Sequence, residues 1–157
     1  GVIETIGYDY IREYELSLVK EAYERLEGIS RVRLYVQKEN LGSVISFDIE
    51  GISAQEVAEK LRNEYGIGVR PGSFCTYELL RKMKGISDEQ DRIIAQEVDQ
   101  EITRNIPGLV RASFSLENRP EDVNRLVRAV SEIARNGQEF YVSRYQQDQK
   151  TGRWSLK

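Results

Sequence analysis

The chain of 157 residues contains no histidine and a single cysteine. Without histidine it cannot assemble a Ser-His-Asp or Cys-His catalytic group, a histidine-ligated metal site or an imidazole acid–base. One cysteine also excludes an intramolecular disulfide and a cysteine-rich zinc site, so we expect no bound metal. Catalysis by this chain alone would depend on carboxylates, lysines, tyrosines or the thiol of Cys75, and a binding or accessory domain is the simpler interpretation.

The chain also lacks an excess of positive charge and any long apolar segment. Its 23 lysines and arginines stand against 26 aspartates and glutamates. Phosphate binding needs clustered positive charge, so no nucleic-acid partner is expected. No apolar run approaches the roughly 20 residues of a membrane span, and no signal-peptide core begins the chain, so no membrane partner is expected either. We expect one soluble, cytoplasmic domain, since a single cysteine favours a reducing compartment.

The spacing of apolar residues predicts helices and short strands. Apolar residues that recur every three or four positions are typical of amphipathic helices. Strict alternation of apolar and polar residues is typical of half-buried strands. Helices are expected at 9–27, 53–65, 77–84, 88–104 and 120–136, and strands at 32–36, 45–49, 67–70 and 109–116. The tail is expected to form a hairpin, with Phe140 and Val142 opposite Trp154 and Leu156. This order predicts an α+β fold with helices packed on a small, mostly antiparallel sheet.

A loop carries the only thiol. Pro71 and Gly72 are expected to end the strand at 67–70 in a turn, and Cys75 follows in the resulting loop. Exposure beside Arg70 would favour the thiolate, whose unperturbed pKa is about 8.5, and would make Cys75 a candidate nucleophile. Free cysteines are more often small, buried apolar side chains. The spacing does not decide between these two interpretations.

Arg111 is the second candidate for chemistry. It lies within the predicted strand 109–116, where Val110 and Ala112 are expected to face the core and the small Ser113 and Ser115 share its own face. Room beside a rigidly placed guanidinium suits a small carboxylate, which arginine binds through two parallel hydrogen bonds. The competing interpretation is a surface ion pair with one of the many acids of the chain.

Two motifs together resemble a known family. The first is Val69-Arg70-Pro71-Gly72-Ser73-Phe74-Cys75, and the second is Val110-Arg111-Ala112-Ser113-Phe114-Ser115-Leu116-Glu117-Asn118, followed by a helix with Asp122, Arg125 and Leu126. In this order they resemble the C-terminal small domain of class V aminotransferases, which include cysteine desulfurases and selenocysteine lyases. The resemblance covers about residues 3–136. It implies the two-layer small domain of a fold-type I pyridoxal-phosphate (PLP) transferase over residues 1–136, with 1–7 as the end of an interdomain helix and 137–157 as a separate hairpin-like tail.

The resemblance also implies roles for residues and partners. Arg111 matches the arginine that binds the substrate α-carboxylate, and Cys75 matches the cysteine that accepts sulfur as a persulfide. Arg70 belongs to the motif as a substrate-binding residue with a less defined role. PLP would be bound mainly by a large N-terminal domain that this chain lacks, so the chain alone is expected to be inactive. A homodimer acting on a small amino acid is expected.

Two departures leave the reaction open. Desulfurases of this family carry histidine just before the cysteine, where this chain has Ser73 and Phe74, and they have a shorter span to the substrate arginine. Here that span includes residues 81–106, whose acidic stretch at 86–106 predicts a solvated surface helix. Desulfuration, amino transfer and epimerisation all remain open. The alternative outside the family is a free-standing, non-catalytic α+β module in which Arg111 binds a small carboxylate ligand.

Overall fold

A computed structural model describes residues 5, 7–137 and 143–157. The helices in these residues are α1 (Tyr8–Glu27), α2 (Ala54–Tyr65), α3 (Tyr77–Lys84), α4 (Asp88–Asp99) and α5 (Pro120–Asn136), with a 3-10 turn at Lys38–Asn40. The strands are β1 (Val32–Leu34), β2 (Val44–Ile49), β3 (Arg70–Gly72), β4 (Leu109–Ser113), β5 (Tyr145–Gln147) and β6 (Trp154–Leu156). The α+β class is confirmed. No helix in the described residues is both long and apolar enough to cross a bilayer.

Four strands form one antiparallel sheet in the order β1-β2-β4-β3, which makes β1 and β3 its edges. Side chains alternate between its two faces. On β2 the residues Ile45, Phe47 and Ile49 are buried, whereas Ser46 and Asp48 are only half-buried. We call the face of Phe47 the inner face and the face of Ser46 the outer face.

The inner face carries the main core, because α1, α2 and α5 lay their apolar sides against it. Their buried residues include Leu18, Val19, Ala22 and Leu26 of α1, Val57 and Leu61 of α2, and Val123, Leu126, Val130 and Ile133 of α5. Local sequence starts these helices: the Ser53 hydroxyl accepts a hydrogen bond from the Glu56 amide at 3.2 Å, and Pro120 occupies the first turn of α5. The helices predicted at 9–27, 53–65 and 120–136 are therefore confirmed.

One ion pair is buried with this core. Lys60 Nζ lies 2.5 Å from Glu56 Oε1 on α2, and both side chains are essentially inaccessible to solvent. Burial lowers the pKa of Lys60, while the carboxylate of Glu56 acts in the opposite direction. The pair is one turn apart on α2, so it satisfies two buried charges within a single helix.

The outer face is contacted by the C-terminal end of α3. Lys84 at the end of α3 contacts Asp48 on the outer face, and Leu80 is buried outside the main core cluster. The end of α3 therefore lies on the side of the sheet that carries Arg111. This placement determines the surroundings of the candidate site.

The segment at Pro71 and Gly72 differs from the sequence prediction. Both residues lie in β3, with Pro71 paired to Val110 and Gly72 to Leu109, rather than in a turn. Proline lacks an amide hydrogen, but β3 is an edge strand, where a missing donor is tolerated. The predicted strand at 67–70 therefore begins later, at Arg70.

Other boundaries shift by a few residues. The helix predicted at 88–104 ends at Asp99, and Glu101 adopts a left-handed φ of 62° that ends helical geometry. The strand predicted at 109–116 ends at Ser113. In both cases the apolar periodicity of the sequence continues beyond the end of the helix or strand.

The tail forms a two-stranded hairpin that packs on the domain. Trp154 and Leu156 lie on β6 as predicted, and their partner strand is β5 at Tyr145–Gln147. The predicted strand at Phe140 and Val142 lies outside the described residues. Tyr145 and Trp154 are buried in the core cluster, so these aromatic residues serve ordinary packing.

Candidate functional site

The segment between β3 and α3 is a tight loop that presents the thiol. Phe74 and Cys75 both adopt left-handed backbone conformations, with φ of 54° and 61°. Such residues cost about 1–3 kcal/mol each when they are not glycine, so surrounding contacts must hold them. The Thr76 amide and hydroxyl both donate to the Ser73 carbonyl, at 3.0 and 2.7 Å. Cys75 is exposed, so the interpretation of a buried apolar thiol is wrong.

Arg111 projects from β4 on the outer face and stacks on Phe74. Its guanidinium carbon lies 3.9 Å from the centroid of the Phe74 ring, which is a cation–π contact. Its Nε is buried and has no hydrogen-bond partner in the described residues. Arg111 forms no ion pair with the acids among those residues, contrary to the surface ion-pair interpretation. The guanidinium is therefore held in place with donors still available.

Arg70 is brought beside Arg111 by the register of the sheet. The two residues are direct partners across β3 and β4, so both side chains project from the outer face. The guanidinium carbon of Arg70 lies 5.6 Å from the centroid of the same Phe74 ring. Arg70 is exposed and has no acidic partner in the described part of the chain. The two motifs thus meet as a pair of positive charges against one aromatic ring.

Phe74 is the site residue that sequence reasoning missed. It was treated only as a replacement for a family histidine, yet its ring contacts both arginines. An aromatic residue next to the exposed cysteine was the available signal. Its contact with Arg111 depends on the pairing of β3 with β4. The sequence predicts a turn at Pro71 and Gly72, so it does not predict this pairing.

A polar row continues from the arginines toward β1. Ser46 is the partner of Arg111 on β2, and the Tyr35 amide donates to the Ser46 carbonyl at 2.8 Å. The Tyr35 hydroxyl donates to Asp48 Oδ2 at 2.8 Å, and Lys84 Nζ donates to the same oxygen at 2.5 Å. This network ties the C-terminal end of α3 to the outer face.

The same network affects the ionisation of Tyr35. Burial raises the pKa of Tyr35 to about 12, and the hydrogen bond to the Asp48 carboxylate acts in the same direction. The phenol is therefore protonated at neutral pH and acts as a hydrogen-bond donor. It cannot serve as a general base near pH 7.

Helix α4 is anchored to α3 rather than merely solvated. It buries none of its residues completely, as expected for the acidic segment. Its Asp91 nevertheless accepts a hydrogen bond from the Tyr77 hydroxyl at 2.6 Å and pairs with Arg81 at 3.1 Å. Asp88 also pairs with Arg81. These contacts hold α4 against the helix that follows the Cys75 loop.

Asp122 and Arg125, which follow the second motif, make contacts within the fold. Asp122 Oδ2 accepts a hydrogen bond from the Arg119 amide at 3.0 Å, which caps α5. Arg125 donates to the Tyr65 carbonyl at 3.0 Å at the end of α2. Both residues line a cavity away from Cys75, so the part of the second motif beyond β4 supports the fold around the arginine strand.

Comparison with known proteins identifies the family. The model for class V aminotransferases matches residues 2–126. The chain therefore belongs to the class V aminotransferase family, and the resemblance found in the sequence is confirmed. A probable cysteine desulfurase of Halobacterium salinarum is 32% identical over 131 residues, and a cysteine desulfurase of Shigella flexneri is 32% identical over 133 residues.

These relatives are much longer than this chain. The two alignments cover 83% and 85% of the chain but 26% and 27% of the relatives. The chain therefore spans about a quarter of the length of the curated relatives it matches.

Solved structures show that the fold is shared by enzymes with different reactions. A cysteine desulfurase of Thermococcus onnurineus superposes with a TM-score of 0.68 at 27% identity, over 87% of this chain and 29% of that protein. An alanine–glyoxylate aminotransferase of Nostoc has the same fold, with a TM-score of 0.56 at 21% identity, over 84% of this chain and 28% of that protein. The fold therefore does not select between desulfuration and amino transfer.

Proposed function

We propose that this chain is the substrate-binding small domain of a PLP-dependent class V enzyme that acts on a small amino acid as a cysteine desulfurase, selenocysteine lyase or aminotransferase. The observation that carries the proposal is the arrangement of Arg111, whose guanidinium stacks on Phe74 at 3.9 Å while its buried Nε has no hydrogen-bond partner in the described residues. A desolvated donor without a partner is costly, and a substrate carboxylate would satisfy it.

Arg111 would bind the α-carboxylate of the substrate in each of these reactions. Its backbone is fixed between β2 and β3, so the guanidinium position depends little on loop motion. A bidentate contact fixes both the position and the rotation of the carboxylate. Orientation of the bonds at the α-carbon then follows from this one contact.

Cys75 would accept sulfur if the enzyme is a desulfurase. Its thiolate would attack the substrate sulfur, so that a sulfur–sulfur bond forms as the bond between substrate sulfur and β-carbon breaks. The electron pair of that bond passes to the β-carbon, which takes up one proton to replace the proton that Cys75 released on forming the thiolate, and the products are alanine and a Cys75 persulfide. Exposure of Cys75 on a loop, with no second thiol in the chain, supports this role.

The cofactor contacts would lie outside this chain. PLP, when bound, supplies an electron sink for bonds at the substrate α-carbon. The lysines buried in the fold or on the outer face do not fit a role in its attachment, because Lys60 is paired with Glu56 and Lys84 with Asp48. We therefore propose that this chain binds the substrate carboxylate and that a large N-terminal domain binds the cofactor.

The whole protein is proposed as a cytoplasmic homodimer. Residues 1–136 would form the small domain and 137–157 its C-terminal tail. The length of the curated relatives, of which this chain covers about a quarter, supports an additional large domain.

The test is an assay of the full-length protein with cysteine, selenocysteine and an amino-acid/keto-acid pair, measuring sulfide, selenide and the new amino acid. We expect PLP-dependent turnover in at least one arm. A folded full-length protein that neither retains PLP nor converts any of these substrates would contradict the proposal. Carboxylate binding without turnover would instead support the free-standing binding module.

A further inference from the structure

We infer that Phe74 is a positioning residue whose ring holds the Arg111 guanidinium in place to bind a carboxylate. The inference rests on the proposed role of Arg111 as the ligand of the substrate α-carboxylate. It assigns Phe74 an effect on the substrate that passes through Arg111, and no contact with the substrate itself.

The first observation is where the ring lies. The guanidinium carbon of Arg111 lies over the Phe74 ring at 3.9 Å from its centroid, closer than the guanidinium carbon of Arg70 at 5.6 Å. The face of an aromatic ring attracts a cation but offers no lone pair to an N–H group. The contact therefore fixes the guanidinium without occupying the N–H donors that bind a carboxylate.

The second observation is that the described residues offer the Arg111 side chain few other partners. It forms no ion pair with their acidic groups, and its buried Nε has no hydrogen-bond partner among them. A free arginine side chain samples many rotamers, and immobilising it on ligand binding costs entropy. A ring that already holds the guanidinium reduces this cost before the carboxylate binds.

The third observation is the unusual backbone of Phe74. Its φ of 54° lies in the left-handed region that bulky residues rarely adopt. The turn around it is closed, because the amide and the hydroxyl of Thr76 both donate to the Ser73 carbonyl, at 3.0 and 2.7 Å. Such a conformation persists only where surrounding contacts favour it. We attribute part of that support to the contact between the ring and Arg111.

Strand pairing brings the two partners of this contact together. Gly72, two residues before Phe74, pairs with Leu109, which is two residues before Arg111. The ring and the guanidinium therefore come from neighbouring parts of one antiparallel strand pair. Replacement of the ring should free the guanidinium while this backbone pairing remains.

The experiment measures the binding of propionate, a probe with one carboxylate, to full-length wild type, Phe74→Leu, Phe74→Tyr and Phe74→Trp. Phe74→Leu keeps much of the apolar volume without a ring, and should raise the Kd of propionate by about 3- to 30-fold, the range of a cation–π contact. Phe74→Tyr and Phe74→Trp keep a ring, so at least one of them should bind within about twofold of wild type. Leu79→Ala truncates an exposed apolar side chain of α3, and as the matched control it should leave the Kd unchanged.

Kinetics with cysteine, and with alanine and a keto acid, give a second readout. Phe74→Leu should raise KM by a similar factor and change kcat by less than about threefold, because the lost contact acts on carboxylate binding. A double-mutant cycle then tests whether Phe74 acts through Arg111. In an Arg111→Ala background, Phe74→Leu should change kcat/KM by less than about twofold.

The outcomes separate this inference from the proposed function. An unchanged propionate Kd in Phe74→Leu, an equal loss in all three Phe74 variants, or additive effects in the cycle would overturn the inference and leave the role of Arg111 intact. If Arg111→Ala binds propionate as tightly as wild type does, the proposed function itself fails. Circular dichroism of each variant checks that the fold is retained.

Discussion

At the scale of single residues, the site depends on how each charge is satisfied. Arg111 has a rigid backbone, an aromatic partner and a desolvated Nε. Cys75 has an exposed side chain on a left-handed backbone. Arg111 is proposed to hold a ligand and Cys75 to accept sulfur, and the two substitutions below test these different roles.

Removal of Arg111 should impair the reaction of substrates that carry an α-carboxylate more than that of substrates without one. In the full-length protein, Arg111→Ala should reduce kcat/KM for an amino acid by roughly 30- to several-thousand-fold, since a desolvated charged pair contributes about 2–5 kcal/mol. Arg111→Lys should recover only part of the lost kcat/KM, because an ammonium group lacks the planar guanidinium that forms two parallel hydrogen bonds with a carboxylate. The decarboxylated amine of the same substrate is the control. Equal effects on amino acid and amine would make Arg111 a structural residue.

Substitution of Cys75 should separate sulfur transfer from substrate binding. If the enzyme is a desulfurase, Cys75→Ser should abolish sulfide release from cysteine, while the change in cofactor absorbance on cysteine binding persists. Ser73→Ala is the matched control, because it alters the same loop but keeps the carbonyl that accepts from Thr76. Sulfide release at the wild-type rate in Cys75→Ser would assign the sulfur acceptor to a thiol elsewhere in the full-length protein.

At the scale of elements, the carboxylate of Asp48 links the end of α3 to the sheet. The carboxylate of Asp48 accepts from both the Tyr35 hydroxyl and Lys84 Nζ. This contact lies at one end of α3, and the Cys75 loop lies at the other. The position of the loop therefore depends on the contacts of Asp48 with Tyr35 and Lys84, which take no part in the proposed reaction.

Stability should fall at alkaline pH because of three tyrosines. Burial, followed by a hydrogen bond to a carboxylate, raises the pKa of Tyr35, Tyr77 and Tyr145 from 10.0 to about 12. The protonated phenols stabilise the folded state below pH 10, and this stabilisation is lost as pH rises toward 12, because the unfolded chain releases these protons first. Denaturant unfolding at stepped pH should show the decline. A free energy of unfolding that stays constant above pH 10 would contradict it.

A single substitution identifies the contribution of Tyr35. Asp48→Asn removes the carboxylate acceptor, so the pKa of Tyr35 should move down from about 12. Absorbance titration of phenolate should show one tyrosine ionising earlier than in wild type. Asp99→Asn, at an exposed position on α4, is the control and should leave the titration curve unchanged.

At the scale of the whole molecule, the core and the candidate site lie on opposite faces of the sheet. The inner face of the sheet, three helices and the tail hairpin form one continuous hydrophobic cluster. Such a core is large enough for independent folding. The candidate site lies on the opposite, outer face and contributes little to that core.

The isolated chain should therefore fold and remain inactive. We expect cooperative unfolding by circular dichroism, no retention of PLP after desalting and no turnover, because the groups proposed to hold the cofactor are in another domain. Borohydride reduction followed by peptide mapping is the decisive measurement. A PLP-labelled lysine in the isolated chain would overturn the division of roles proposed here.

The sequence by itself determined most of the elements within the described residues, but not all of their boundaries. Periodicity identified α1, α2, α5 and β2, and on β4 it identified Val110 and Ala112 as the residues that face the core. These features follow from interactions within a few residues of the chain. The two motifs were sufficient for the family, which the comparison confirmed.

Only the tertiary structure decided which residues meet. It placed Pro71 in an edge strand, set Arg70 opposite Arg111 and brought Phe74 against both arginines. Strand register depends on contacts between segments far apart in sequence, and a shift of one residue would turn every side chain to the other face. Local pattern identifies a strand and its apolar side, but the neighbours across the sheet are selected by the packing of the whole domain.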